Sequence, residues 1–154
     1  MSTFDPKALE DAVIDAPNAT TMTPIPPNTY PGICADVEIR TAKTKDGDRA
    51  ILRLKWDLLD DDLKTKLGRD RILVDQDIWL DLNEDGSIAT GPDQNVRLGR
   101  TREACDLNDM KGFTFNMFKD QGPLQCTVIE DPDEKSGDIY SKVVRVSKED
   151  AEAA

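Results

Sequence analysis

The sequence predicts a mostly β domain of five strands, with one helix between the third and the fourth. Three observations lead there. Apolar residues alternate with polar ones over short runs, which is the period of a half-buried strand. Turn signals built on Gly, Pro, Asn and Asp separate those runs. One later segment, Val96 to Met110, carries the wider spacing of a helix packed on a sheet. At 154 residues the chain suits one domain with one core, and 38% hydrophobic against 33% charged residues confines the apolar material to a few patterned segments.

Residues 1–29 read as a largely irregular arm, with a short helix over Pro6 to Ile14 and then a run ending in Pro24-Ile25-Pro26-Pro27. The domain itself is expected over 30–147, followed by a short acidic tail, 148–154. Strand one starts at Tyr30 and puts Ile33, Ala35, Val37 and Ile39 on the core face, with Asp36, Glu38 and Arg40 opposite. Lys45-Asp46-Gly47-Asp48 is a hairpin signal. Strand two, Arg49 to Leu59, points Leu52, Leu54, Trp56 and Leu58 inward and Arg53, Lys55 and Asp57 outward. The charged stretch Asp60 to Asp70, punctuated by Gly68, holds one helical turn.

Strand three, Arg71 to Leu82, turns Ile72, Val74, Ile78, Leu80 and Leu82 inward and Leu73, Asp75, Asp77 and Trp79 outward. Asn83-Glu84-Asp85-Gly86 makes a turn, and Ile88 begins a short return strand. Asp93 or Asn95 caps the helix, Leu98, Cys105 and Leu107 form its apolar stripe, and Gly112 stops it; Gly99 weakens its first turn. Phe113, Phe115 and Phe118 read as core or plug residues. Two final strands, PLQCTVIED and IYSKVVRV, are joined through Pro132 and Ser136-Gly137. Three strands, a helix and two strands is the order of the five-stranded oligonucleotide-binding (OB) barrel.

Composition restricts the chemistry. The sequence holds no histidine, which removes the commonest general base near neutral pH and the catalytic arrangements built on it. Its three cysteines, Cys34, Cys105 and Cys126, are odd in number and far apart in sequence, so reduced, mostly buried thiols are expected, without a disulfide framework or zinc site. Asp75, Asp77 and Asp81 share a strand face, but a solvated surface explains them better than a metal-assisted active site. Asp81 to Ile88 fits the opening half of a calcium loop, yet Pro92 stands where the closing Glu belongs. No catalytic residue, metal or cofactor is therefore expected. No apolar run is long enough to span a membrane, and the N-terminus does not read as a secretory signal, so a cytoplasmic protein without a membrane partner is expected.

A net charge of −11 argues at first against a nucleic-acid ligand. The charge is segregated, however. Arg40 to Lys55 holds six basic residues against two acidic ones, while Asp75 to Asp93 holds six acidic residues and no basic one. Single-strand binding needs cations that follow the phosphates and flat side chains on which bases stack. Arg40, Lys43, Lys45, Arg49, Arg53 and Lys55 are candidates for the first role and Trp79 for the second. Arg97, Arg100 and Arg102 surround the helix start and are expected to pair with nearby acids.

The segment Gln94-Asn95-Val96-Arg97-Leu98-Gly99-Arg100 with Glu103-Ala104, the preceding Asp81-to-Asp93 turn, and the closing GPLQCTVIED and GDIYSKVVRV resemble small phage-encoded single-stranded-DNA-binding proteins with the OB fold, over about residues 28–147. The resemblance implies a sequence-tolerant binder of single-stranded DNA acting in phage DNA replication or recombination. It also implies no enzymatic activity, and barrel modules of this kind often pair; the acidic tail reads by default as a solubilising segment, with contact to replication or recombination proteins or competition for the basic groove as its alternatives. A scarcity of aromatic residues on the candidate face departs from that pattern. The rival reading is an acidic interaction module, or an inhibitor that mimics DNA and presents Asp75 to Asp93 to a host protein's basic cleft.

Overall fold

The computed structural model describes residues 3–148, so the expected acidic tail lies, beyond Lys148, outside the described residues. The chain is mostly β. Five strands, β1 (Asn28–Thr44), β2 (Gly47–Leu58), β3 (Leu73–Trp79), β4 (Leu124–Pro132) and β5 (Ile139–Lys148), form a closed ring in the order β1-β2-β3-β5-β4. Neighbours are antiparallel except β3 and β5, which run parallel and pair only at Asp75 and Lys142. Three helices accompany them: α1 (Pro6–Glu10), α2 (Asp61–Leu67) and α3 (Val96–Ala104). Among the described residues, no helix is long and apolar enough to cross a membrane.

The β1–β2 hairpin forms where the sequence signals it, with Thr44 paired to Gly47 across Lys45 and Asp46. Gly47 has φ +112, a conformation that a side chain strongly disfavours. The inward row of β2 is as alternation predicts: Leu52, Leu54, Trp56 and Leu58 have no exposed surface. Ile72, Val74, Ile78 and Leu80 face them from β3 and its flanks, and β4 and β5 add Leu124, Cys126, Val128, Val143 and Val146. Leu98 of α3 and Phe118 join the same core, with Phe113 and Phe115 packed against it.

Strand β1 departs from the alternation. Tyr30, Gly32 and Cys34 point inward in place of Ile33 and Ala35, because the register shifts between Cys34 and Asp36 and leaves Ala35 as an extra residue. Such a bulge reverses the phase of the strand. Beyond it Val37 packs against the core as expected, while Ile39 lies far enough along the projecting hairpin to be 53% exposed. Gly32 is required where it is, since a Cβ there would meet Cys126 Sγ at 2.8 Å.

Two further expectations need correction, and one residue of the irregular arm reaches the core. Strand three ends at Trp79, so Leu82 is exposed and meets Ile88 in a single bridge outside the ring. Helix α3 stops at Ala104 and does not reach Met110, because Asp106 turns left-handed (φ 58) and the Arg102 guanidinium takes the Leu107 carbonyl at 2.9 Å. The arm is not wholly outside the core: α1 ends at Glu10 and β1 starts at Asn28, while Ile25 is buried. The Ile25 N–H donates to Ser141 Oγ at 2.8 Å, and Tyr30 Oη donates to the Pro26 carbonyl at 2.6 Å. A single isoleucine among prolines has no periodic neighbour to reveal it.

One residue that the alternation would place inward, Gln76, is polar and buried. Its Oε1 accepts from the indole N–H of Trp56 at 2.9 Å, and its Nε2 donates to Thr101 Oγ1 at 3.5 Å. Thr101 in turn donates to the Arg97 carbonyl at 2.9 Å. The chain of donors runs in one direction from β2 through β3 to α3.

Four stability outcomes follow, each readable from thermal or urea melts. Gln76→Leu strands a buried indole donor and costs about 1–3 kcal/mol. Removing residues 1–20 leaves the melt unchanged, whereas Ile25→Ala in the full chain costs about 2–5 kcal/mol through the cavity it leaves. Gly99 has an ordinary helical φ, and a Cβ there would meet nothing within 4 Å, so Gly99→Ala stabilises α3 by about 0.5–1 kcal/mol.

Candidate nucleic-acid interface

Because β3 and β5 pair at one position only, they diverge and a groove of about 660 Å³ opens between them. Trp79 and Tyr140 line it, 42% and 55% exposed. Trp79 lies four residues past, and Tyr140 two residues before, the paired position, so roughly 20 Å of strand separates the two rings. Tyr140 belongs to the run IYSKVVRV, both faces of which carry apolar residues, so alternation alone does not single it out.

The position of Trp79 is fixed by its neighbours. It pairs in register with Ile51, points outward as alternation predicts, and carries the Arg49 guanidinium over its ring at 5.1 Å. Arg49 is itself anchored, donating to the Leu80 carbonyl at 3.2 Å and lying 3.6 Å from Asp81. Asp81 is held by Asn95, whose Oδ1 accepts the Asp81 N–H at 2.7 Å while the Asn95 N–H donates back to the Asp81 carboxylate at 2.8 Å. Asn95 thus ties the start of α3 to the end of β3 and makes no side-chain cap on the helix.

The cations expected to follow phosphates are placed unequally. Arg53 makes a two-pronged contact with Asp77 at 2.7 and 2.9 Å and lies 3.6 Å from Asp75. The hydrogen bond and charge of Asp77 raise its pKa further above an already basic value. Arg40 pairs with Glu38 at 3.3 Å. Lys55 is half-buried, with Asp36 and Asp75 beside it in register. Lys43 and Lys45 are exposed along the projecting hairpin. The structure therefore gathers Arg49, Arg53 and Trp79 at one edge of the groove and spreads Arg40, Lys43 and Lys45 away from it.

Across the groove, Lys142 is 3.2 Å from Asp131, while Arg97 also lines the wall. Neither Arg97 nor Arg100 forms the expected ion pair among the described residues, and Arg102 binds carbonyl oxygens and the face of Phe113 at 4.1 Å. These two helix residues, with Arg145 of β5, are the cations that sequence reasoning undervalued.

The acidic run is not one open face. Asp75 and Asp77 are engaged by Arg53, Asp81 by Arg49 and Asn95, and Asp85 by the Ser87 hydroxyl at 2.5 Å and N–H at 2.9 Å. Those bonds to Ser87 hold the Asp85 carboxyl below its usual range. Among the described residues, no group of three or more side chains of metal-ligating type is placed to hold a metal ion.

The cysteines are free thiols. Burial pushes Cys34 and Cys126 up to about 12 and Cys105 to about 11. Since the folded values exceed the unfolded one, the stabilisation linked to these thiols is complete below about pH 9 and is lost as pH rises toward 12. Iodoacetamide at pH 8 should label the folded protein slowly, half-buried Cys105 first, and all three thiols at the free-thiol rate in urea. Rapid labelling of Cys34 or Cys126 in the native state would contradict this burial.

Comparisons with protein-family models, with curated proteins and with solved structures return no match for this chain.

Proposed function

We infer that the ring is an OB barrel and that the chain binds single-stranded nucleic acid, DNA before RNA, without catalysing a reaction. The observation that carries this reading is the anchored, half-exposed Trp79 at the edge of a groove, on a ring whose strand order and intervening helix match that barrel. A base stacks on the indole, Tyr140 offers a second ring along the groove, and Arg49 contributes charge beside the stack. The family resemblance extends the reading to phage DNA replication or recombination. Against the DNA-mimic alternative stands the internal pairing of the acidic run, which leaves few of its carboxylates free to imitate phosphates.

Oligothymidylate binding measured across a salt series tests the reading directly. Trp79→Ala should weaken binding by about 1–3 kcal/mol and leave the melting temperature nearly unchanged. Asp77→Asn removes a carboxylate from the groove and frees Arg53, so it should tighten binding and steepen its salt dependence. A mimic would respond to Asp77→Asn with weaker capture of its basic partner, and it would bind no oligothymidylate at all.

A further inference from the structure

We propose that the trough between α3 and β5, holding Arg97, Arg100 and Arg145, is a second phosphate-binding strip that carries a single strand onward from the Trp79 groove. The inference rests on the single-strand reading and adds a path for the ligand that strands β2 and β3 do not contain.

Continuity comes first. Gln76, Arg97 and Val144 line both the groove and an adjoining trough of about 530 Å³, whose other walls include Arg100 and Arg145. The same two arginines border a further stretch that reaches Ser147 and Lys148. Val144 is the extra residue where the β4–β5 register shifts, between the Thr127–Arg145 and Val128–Val143 pairs. The bulge re-aims the strand at the junction of groove and trough.

The second observation concerns partners. The sequence has nine arginines. Arg40, Arg49, Arg53, Arg69, Arg71 and Arg102 are each held by a carboxylate or a carbonyl oxygen. The remaining three have no such partner among the described residues, and all three line this one trough. In a chain with a net charge of −11, where acids outnumber bases, an arginine held by neither a carboxylate nor a carbonyl oxygen needs a reason. Three side by side indicate an anionic ligand more specifically than any one does.

Helix α3 adds to the same field. Its first turn has no acidic residue and its N-cap makes no side-chain hydrogen bond, so the first N–H groups stay open. Arg97, in the first turn of the helix, stands near the positive end of its dipole, where a cation is unfavourable, and Arg100 lies one turn further along. A bound phosphate relieves that repulsion and takes up the open donors. Planar, always charged guanidinium groups suit phosphodiester oxygens better than lysines would.

The test uses the full-length protein with oligothymidylates of about 6 and about 20 nucleotides, a range that brackets one barrel's site. Arg100→Ala/Arg145→Ala, which leaves the groove-lining Arg97 in place, should bind the short oligonucleotide as the parent does. With the long one, its salt dependence should become shallower by about 1.4 in the logarithmic slope, at about 0.7 for each lost contact. The double lysine variant keeps the charge, so it should retain most of the slope and separates electrostatics from any fault in folding. If the parent binds and responds to Trp79→Ala, but the double alanine variant matches it on the long oligonucleotide, the strip is refuted and the groove reading survives. If the parent binds neither oligonucleotide at any salt concentration, both readings fall.

Discussion

Trp56 is wholly buried, and its indole N–H, which can only donate, must find its acceptor inside the protein. Burying that ring contributes roughly 4–6 kcal/mol from its area alone, and an unmet donor would forfeit about 1–3 kcal/mol of it. Gln76 supplies the acceptor, which settles the orientation of its amide and aims the amide nitrogen at Thr101. Because Thr101 is on α3, this requirement in the core also sets how the helix is rotated against β3. Thr101, Arg97 and Arg100 lie within four residues on one side of the helix. The rotation that satisfies the tryptophan therefore also turns the two arginines toward β5.

Much of the fold is legible because its signals are local. The Asp-Gly hairpin, the four-residue inward row of β2 and the outward Trp79 each depend on neighbours within one strand or one turn. Strand β1 is harder, since both of its faces carry apolar residues: Tyr30 and Cys34 on one, Ile33, Ala35, Val37 and Ile39 on the other. The bulge at Ala35 chooses between them, and it follows from pairing β1 with β2 and β4 together. Likewise Gly32 reads as a gap in the pattern until Cys126, more than ninety residues later, is seen against it.

The candidate site divides along the same line. Trp79 and Arg49 were accessible because two strands consecutive in the sequence, β2 and β3, pair antiparallel and bring them together. Tyr140, Lys142, Arg97 and Arg145 meet only because β5 returns parallel to β3 with α3 laid alongside, and periodicity within a segment says nothing about that contact. Arg53 misled for the opposite reason: its face is correctly read, but Asp77 across the strand pair had been counted as part of a separate acidic surface.

That cross-strand pairing eases the apparent conflict between an acidic chain and the anionic ligand proposed for it. Net charge sums over groups that have already neutralised one another, whereas a ligand senses the charges left exposed within about 8–10 Å of it. On β2 and β3 the basic and acidic runs of the sequence face each other, so most of their opposing charge cancels inside the sheet. Along α3 and β5, Arg97, Arg100 and Arg145 form no ion pair among the described residues, and Glu103 is the one acid that borders the far end of their trough. The excess acid of the chain lies elsewhere, including Asp61 and Asp62, which open α2 near the positive end of its dipole. Segregation of this kind lets the molecule remain strongly acidic overall while the trough along α3 and β5 is lined by three arginines and no acid, and the proposed strand path runs through that trough.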